Sequence, residues 1–225
     1  VVPLSIRFGD EELLDRRDLT PAQFWARCAA SPVLPETAAP APGAFQAAFE
    51  DVAGGGADGV VCVTISSKLS ATIAAASAAA SALEGRLPVR VVDSRSVTMG
   101  LGMIVLAAAR AAEGGGSVDE VAAAAEALVP RTRVYGTLDT LENLTKGGRI
   151  GAAQALLGSL LSVKPVIEVR DGEVAVISGE APDVDTLCDL LGRHLPRERL
   201  VLADLGAVIG THAGPRTIGV AYQVA

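Results

Sequence analysis

Three short stretches bring together the residue types that hold an anion. Ser66-Ser67-Lys68-Leu69-Ser70 places three hydroxyls in five residues, directly after the apolar run 59–65. A strand-to-helix junction of this kind sets hydroxyls beside the unpaired N–H groups of a helix start, which suits a carboxylate or a phosphate. The same positions also suit an internal role, with Ser70 capping its helix and Ser66 and Ser67 serving the loop backbone. Gly147-Gly148-Arg149 puts a guanidinium just past a helix stop, where it pairs either with a ligand anion or with Glu142 or Asp139 at the surface. The stretch 208–215 reads as a strand running into a glycine-bounded turn that exposes His212. His194, between Arg193 and Leu195, reads as a solvated helix end, and Asp139 with Glu142 as a polar helix face rather than an acid/base couple.

Other chemistries lack their residues. There is no GxxxxGK[ST] phosphate loop, no GxGxxG after a strand and no GxSxG elbow. With two histidines and no clustered Cys/His spacing, a multi-histidine metal centre is excluded. Lys and Arg number 19 against 26 Asp and Glu, a formal charge of −7, and aromatics make up 3% of the chain. Neither the basic footprint nor the stacking platforms of a nucleic-acid binder are present. Cys28, Cys62 and Cys188 are odd in number and without CxxC spacing, which reads as reduced structural thiols. No apolar run reaches the ~18 residues of a membrane span, and Val1-Val2-Pro3-Leu4 carries no basic leader, so a cytoplasmic location is expected.

The elements that must position these groups follow from local pattern. Thr20-Pro21 opens a helix anchored by Phe24 and Trp25, with Thr20 as its cap. Four prolines in 31–42 hold that segment extended at the surface, and a helix over 43–53 stops at Gly54-Gly55-Gly56. Residues 59–65 and 89–92 read as fully buried parallel strands joined by an Ala-rich helix to about Glu84, a βαβ unit. A helix over 99–112 and a second one opened by the capping box Ser117–Glu120 follow. Beyond Arg133 the pattern changes: a strand to Thr137, a helix to Lys146, a helix from Arg149 to Val163, and a hairpin over 166–177 turning at Asp171-Gly172. Strands near Val201 and Ile218 look antiparallel or mixed. The expected fold is α/β in two domains, 1–132 with a parallel sheet flanked by helices and 133–225 with a mixed or antiparallel sheet.

In order along the chain, seven stations resemble the DegV family of bacterial fatty-acid-binding proteins. They are Val2-Pro3-Leu4 with Phe8-Gly9; Pro35-Glu36-Thr37 through Gly43; Ile65-Ser66-Ser67-Lys68-Leu69-Ser70-Ala71-Thr72; and Val92-Asp93-Ser94 with Gly100-Leu101-Gly102. The others are Leu138-Asp139-Thr140-Leu141 leading into Lys146-Gly147-Gly148-Arg149-Ile150, then Gly158 through Pro165, then Val208 through Pro215. The resemblance implies a carrier, not an enzyme and with no cofactor, that buries a long-chain fatty acid in a tunnel between two domains. It implies a partner, a separate ATP-dependent fatty acid kinase that phosphorylates the presented carboxylate for phospholipid synthesis. Residue matching assigns the carboxylate to Thr37, Ser70, Arg149 and His212, with Ser66, Ser67 and Thr211 in support. A regulator that senses lipid without a kinase, and a hydrolase built on Ser70 and His212, are the competing functions.

The chain departs from the family pattern in several places. It lacks the family's opening strand with its Asp-Ser-Thr turn, and a segment expected between 178 and 179. Ala38, Ala39 and Ala41 stand where the family has Ser, Gln and Ser, while Ala71 and Arg216 stand where it has glycine.

Overall fold

The computed structural model describes residues 1–31, 33–151, 164–178 and 203–224, with Asp189, Arg193 and Pro196 as isolated residues. The expected helix to Val163, the strand near Val201, His194, Cys188 and the station 158–163 lie outside the described residues. Within them the fold is α/β with one parallel and two antiparallel sheets.

The first sheet has the order β2-β1-β3. β1 (Ser5–Phe8) turns at Gly9, φ +61°, into β2 (Glu11–Leu14), and β3 (Glu36–Ala38) pairs antiparallel with the other edge of β1. A glycine with positive φ at the first position of a two-residue loop matches the right-handed twist of a hairpin. The register sets Ile6 opposite Thr37. Thus the proline-rich segment is extended as expected, and it also supplies an edge strand. Helix α1 (Pro21–Ala30) starts with the expected Thr20 cap, reinforced by Gln23 in a full capping box.

The second sheet joins β4 (Val60–Thr64) and β5 (Val89–Asp93) in parallel through α3 (Thr72–Ala82), the expected βαβ unit. Side-chain alternation sorts its two faces. Val60, Cys62, Val89 and Val91 pack on Phe45, Phe49, Ala76, Ala79 and Leu83, which come from α2 (Pro42–Gly54), α3 and the turn after it. Val61, Val63 and Val92 face Ile104, Ala108, Val121 and Ala125 of α4 (Thr98–Glu113) and α5 (Val118–Leu128). Four of the five β4 residues are only half-buried, whereas full burial was expected. Among the described residues β4 has a hydrogen-bonded neighbour on one side only.

The third sheet, in the order β8-β7-β6-β9, is antiparallel throughout. It comprises β6 (Thr132–Thr137), β7 (Val166–Arg170), β8 (Glu173–Ser178) and β9 (Ile218–Gln223). The Asp171-Gly172 turn has positive φ at both residues, 51° and 87°, the backbone that an Asp-Gly hairpin favours. α6 (Glu142–Lys146) follows β6. The segment expected as a strand and turn over 208–215 is instead a helix, α7 (Ala207–Ala213), ended by Gly214 at φ +83°. The adjacent β-branched Val208 and Ile209 ahead of Gly210 read locally as a strand end. Tertiary packing decides otherwise: Ala207 closes the cluster of Ile6, Leu19 and Phe24, while Ala213 and Ile209 enter that of Leu138, Leu141, Leu144, Ile150 and Val174. Gly210 fits between them, since a Cβ there would sit 2.8 Å from both Phe24 and Trp25.

Candidate functional site

The edge strand β3 presents Thr37 to the last turn of α7. Thr37 Oγ1 and His212 Nε2 are 3.0 Å apart, although 175 residues separate them in sequence. The imidazole is half-buried, and its Nδ1 is buried with no hydrogen-bond partner among the described residues. Burial first, and then the positive charge of Arg149, push the His212 pKa down to about 4. At neutral pH the ring is therefore uncharged. Gly147 packs against it so closely that a Cβ would lie 2.5 Å from Nδ1.

Arg149 follows Gly148, whose φ of +69° turns the chain out of α6. Its guanidinium pairs with neither Glu142 nor Asp139. Nε donates to the carbonyl of Leu69 at 3.2 Å and an Nη donates to that of Gly147. Glu142 is taken by Lys146, and Asp139 by Lys164 and Arg216. Arg149 thereby joins the loop after α6 to the serine loop after β4, and its charge is close enough to His212 to act on the ring.

The serines divide their work. Ser70 Oγ lies 2.8 Å from Thr72 Oγ1 and accepts a long bond, 3.4 Å, from the Thr72 N–H, the first residue of α3. Ser70 is half-buried, and its hydroxyl serves the helix start. Ser66 is fully buried and donates to the carbonyl of Gly172 at 2.6 Å, locking the β7–β8 turn against the serine loop. Ser67 is exposed, and its N–H donates to Asp93 Oδ1. Thr211 is buried and its hydroxyl donates to the carbonyl of Ala207 within α7. Thr37, His212, Arg149 and the Leu69-Ser70 loop thus form one polar neighbourhood, while the hydroxyls of Ser66 and Thr211 are spent on backbone carbonyls.

Sequence reasoning missed Gly147 as the wall behind the imidazole and Asn143, whose Nδ2 donates to the carbonyl of Thr211. Paired glycines before an arginine signalled a turn, and nothing in the spacing revealed which side chain they make room for. Among the described residues no hydrogen bond joins Ser70 to His212 and no carboxylate contacts the ring. Among the described residues no three His, Cys, Asp or Glu side chains are grouped to hold a metal ion, and no helix is long and apolar enough to cross a membrane.

Comparison with known proteins follows the same lines. A DegV domain-containing protein of Streptomyces coelicolor is 38% identical, covering 97% of this chain and 89% of the relative. That match runs over 253 residues, more than the 225 of this chain, so the relative carries residues inside the matched span that this chain lacks. Among solved structures, a fatty-acid-binding DegV family protein from Thermus thermophilus superposes with a TM-score of 0.89 at 32% identity, covering 99% of this chain and 91% of that one. A stearic acid-binding protein from Eubacterium ventriosum gives 0.81 at 25% identity, covering 98% and 89%. The family profile described as an uncharacterised protein, DegV family, matches residues 1–178, and with these similarities the chain belongs to the DegV family.

Proposed function

We propose that this protein is a cytoplasmic carrier that binds one long-chain fatty acid, its carboxylate held by Thr37, Ser70, Arg149 and His212 and its tail enclosed between an N-terminal domain, 1–132, and a C-terminal domain, 133–225. The observation that carries the reading is the Thr37–His212 pair beside Arg149, contributed by segments far apart in sequence. The fatty-acid-binding Thermus thermophilus and Eubacterium ventriosum relatives support the ligand class.

The chemistry is consistent with that ligand. A desolvated carboxylate requires several donors, and charge-assisted bonds contribute about 1.5–3 kcal/mol each. A palmitate-length tail of ~14 methylenes at ~0.8 kcal/mol each gives a gross ~11 kcal/mol before association costs, so the tail supplies most affinity and the polar cluster sets direction. With Nε2 protonated, His212 donates to Thr37, which frees the Thr37 proton for the ligand. Arg149 supplies the balancing charge. A ring that no carboxylate among the described residues orients fits binding better than catalysis. The carried acid is then presented to a separate ATP-dependent fatty acid kinase, which forms the acyl phosphate used in phospholipid synthesis.

Mass spectrometry of lipid extracted from the purified protein should show one long-chain fatty acid per chain. Ser70→Ala and Arg149→Ala should fold normally and retain less of it. Protein that carries no lipid and takes up no added stearate overturns the binding reading. Normal uptake with no acyl phosphate in the presence of ATP and an active fatty acid kinase removes only the hand-off.

A further inference from the structure

Among the described residues two buried side-chain atoms lack a hydrogen-bond partner: His212 Nδ1, in the site above, and Asp15 Oδ1, outside it. Asp15 follows β2, where its N–H donates to the carbonyl of Leu4 and Arg16, at φ +61°, turns the chain away. Burial pushes its carboxyl pKa up, opposed by Arg16 and by the backbone N–H of Ala207. Ala207 is the first residue of α7 and is completely buried. The helix has Gly206 as its N-cap and therefore no capping side chain of its own. Asp15 Oδ2 lies 3.6 Å from where a Gly206 Cβ would stand, so the carboxylate sits at the start of this helix.

A helix of two turns holds little stability alone, and its placement depends on what grips it. α7 is held at three points: the Asp15 carboxylate beside Gly206 at its start, Phe24 and Trp25 against Gly210, and Thr37 on His212. The first directly follows β2 and the last lies on β3, strands of one sheet in which β1 pairs Ser5 with Leu14 and Ile6 with Thr37. We propose that Asp15 is a positioning residue for the head-group site: by capping α7 from the end of β2, it fixes where His212 meets Thr37. The consequence for ligand affinity rests on the fatty-acid reading, whereas the effect on His212 does not.

The test combines imidazole NMR with cis-parinarate fluorescence titration on the full chain. The two histidine signals are assigned with His212→Gln. In Asp15→Ala the His212 ring signals should move, and the cis-parinarate Kd should rise about five-fold, the scale of a lost helix cap. Asp15→Asn keeps an oxygen for the Ala207 N–H and should stay within about two-fold of the parent protein. If the alanine variant does not fold, Asp15→Ser, which removes the carboxylate, should move the His212 signals in the same way. A folded alanine or serine variant with unchanged His212 signals overturns the proposal, as does an asparagine variant as impaired as alanine with His212 unmoved. If the parent protein binds no cis-parinarate, the fatty-acid reading fails, and the NMR comparison still decides the role of Asp15.

Discussion

Lowering the pH should destabilise the ligand-free protein through His212. Its pKa falls from an ordinary 6.5 to about 4 on folding, through burial and then Arg149. Between these values the unfolded chain binds the proton and the folded chain does not, so stability rises with pH across this window. The penalty is nearly absent above pH 7, grows below pH 6.5 and levels off near pH 4. At pH 5 it amounts to about 2 kcal/mol, and about 3 kcal/mol if followed to the lower limit. Urea unfolding at pH 7.5, 6, 5 and 4.5, run in parallel on His212→Gln, isolates this group from carboxylates that titrate over the same range. The parent protein should lose about 2 kcal/mol relative to the variant between pH 7.5 and 5. Saturating stearate should flatten the difference, because a carboxylate beside the ring favours its protonated form. A difference that stays constant from pH 7.5 to 5 without ligand would refute the neutral, desolvated imidazole.

Two substitutions separate the site from its scaffold. Gly147→Ala should weaken fatty-acid binding more than ten-fold (about 1.4 kcal/mol) with little loss in thermal stability, because the new methyl displaces the His212 ring from Thr37; unchanged stearate affinity would show that the ring's seat does not matter. Ser66→Ala should do the opposite, costing about 1–3 kcal/mol in urea unfolding by orphaning the buried Gly172 carbonyl while leaving stearate affinity within two-fold. A lost affinity with intact stability would instead place Ser66 on the ligand.

Local pattern exposed those elements whose cause is local. Thr20 with Gln23 and Ser117 with Glu120 are complete capping boxes, and Asp171-Gly172 adopts the backbone that its two residues favour. The near-continuous apolar runs of β4 and β5 on either side of a helix revealed a parallel pair, but the number of neighbouring strands that decides full burial is not a local property. β2 and β3 are short edge strands whose partner is distant or across a two-residue turn, and α7 is helical because of what lies on either side of it. Ser70, Arg149 and His212 stood out as polar groups at glycine or helix boundaries. Thr37 emerged only from the family resemblance, since its neighbour His212 is brought near by the sheet register.

The charge state of the site follows from its construction. A protonated His212 next to Arg149 would put two cations together in a half-buried space, and desolvation and repulsion both act against the proton. A neutral ring leaves Arg149 as the positive charge beside it and makes His212 a hydrogen-bond partner of the Thr37 hydroxyl. On the proposed fatty-acid reading, an arriving carboxylate neutralises Arg149 and so removes one of the two causes that hold the imidazole pKa down. Ligand binding and proton uptake at His212 are therefore coupled, with the same sign that makes stearate flatten the pH dependence of stability.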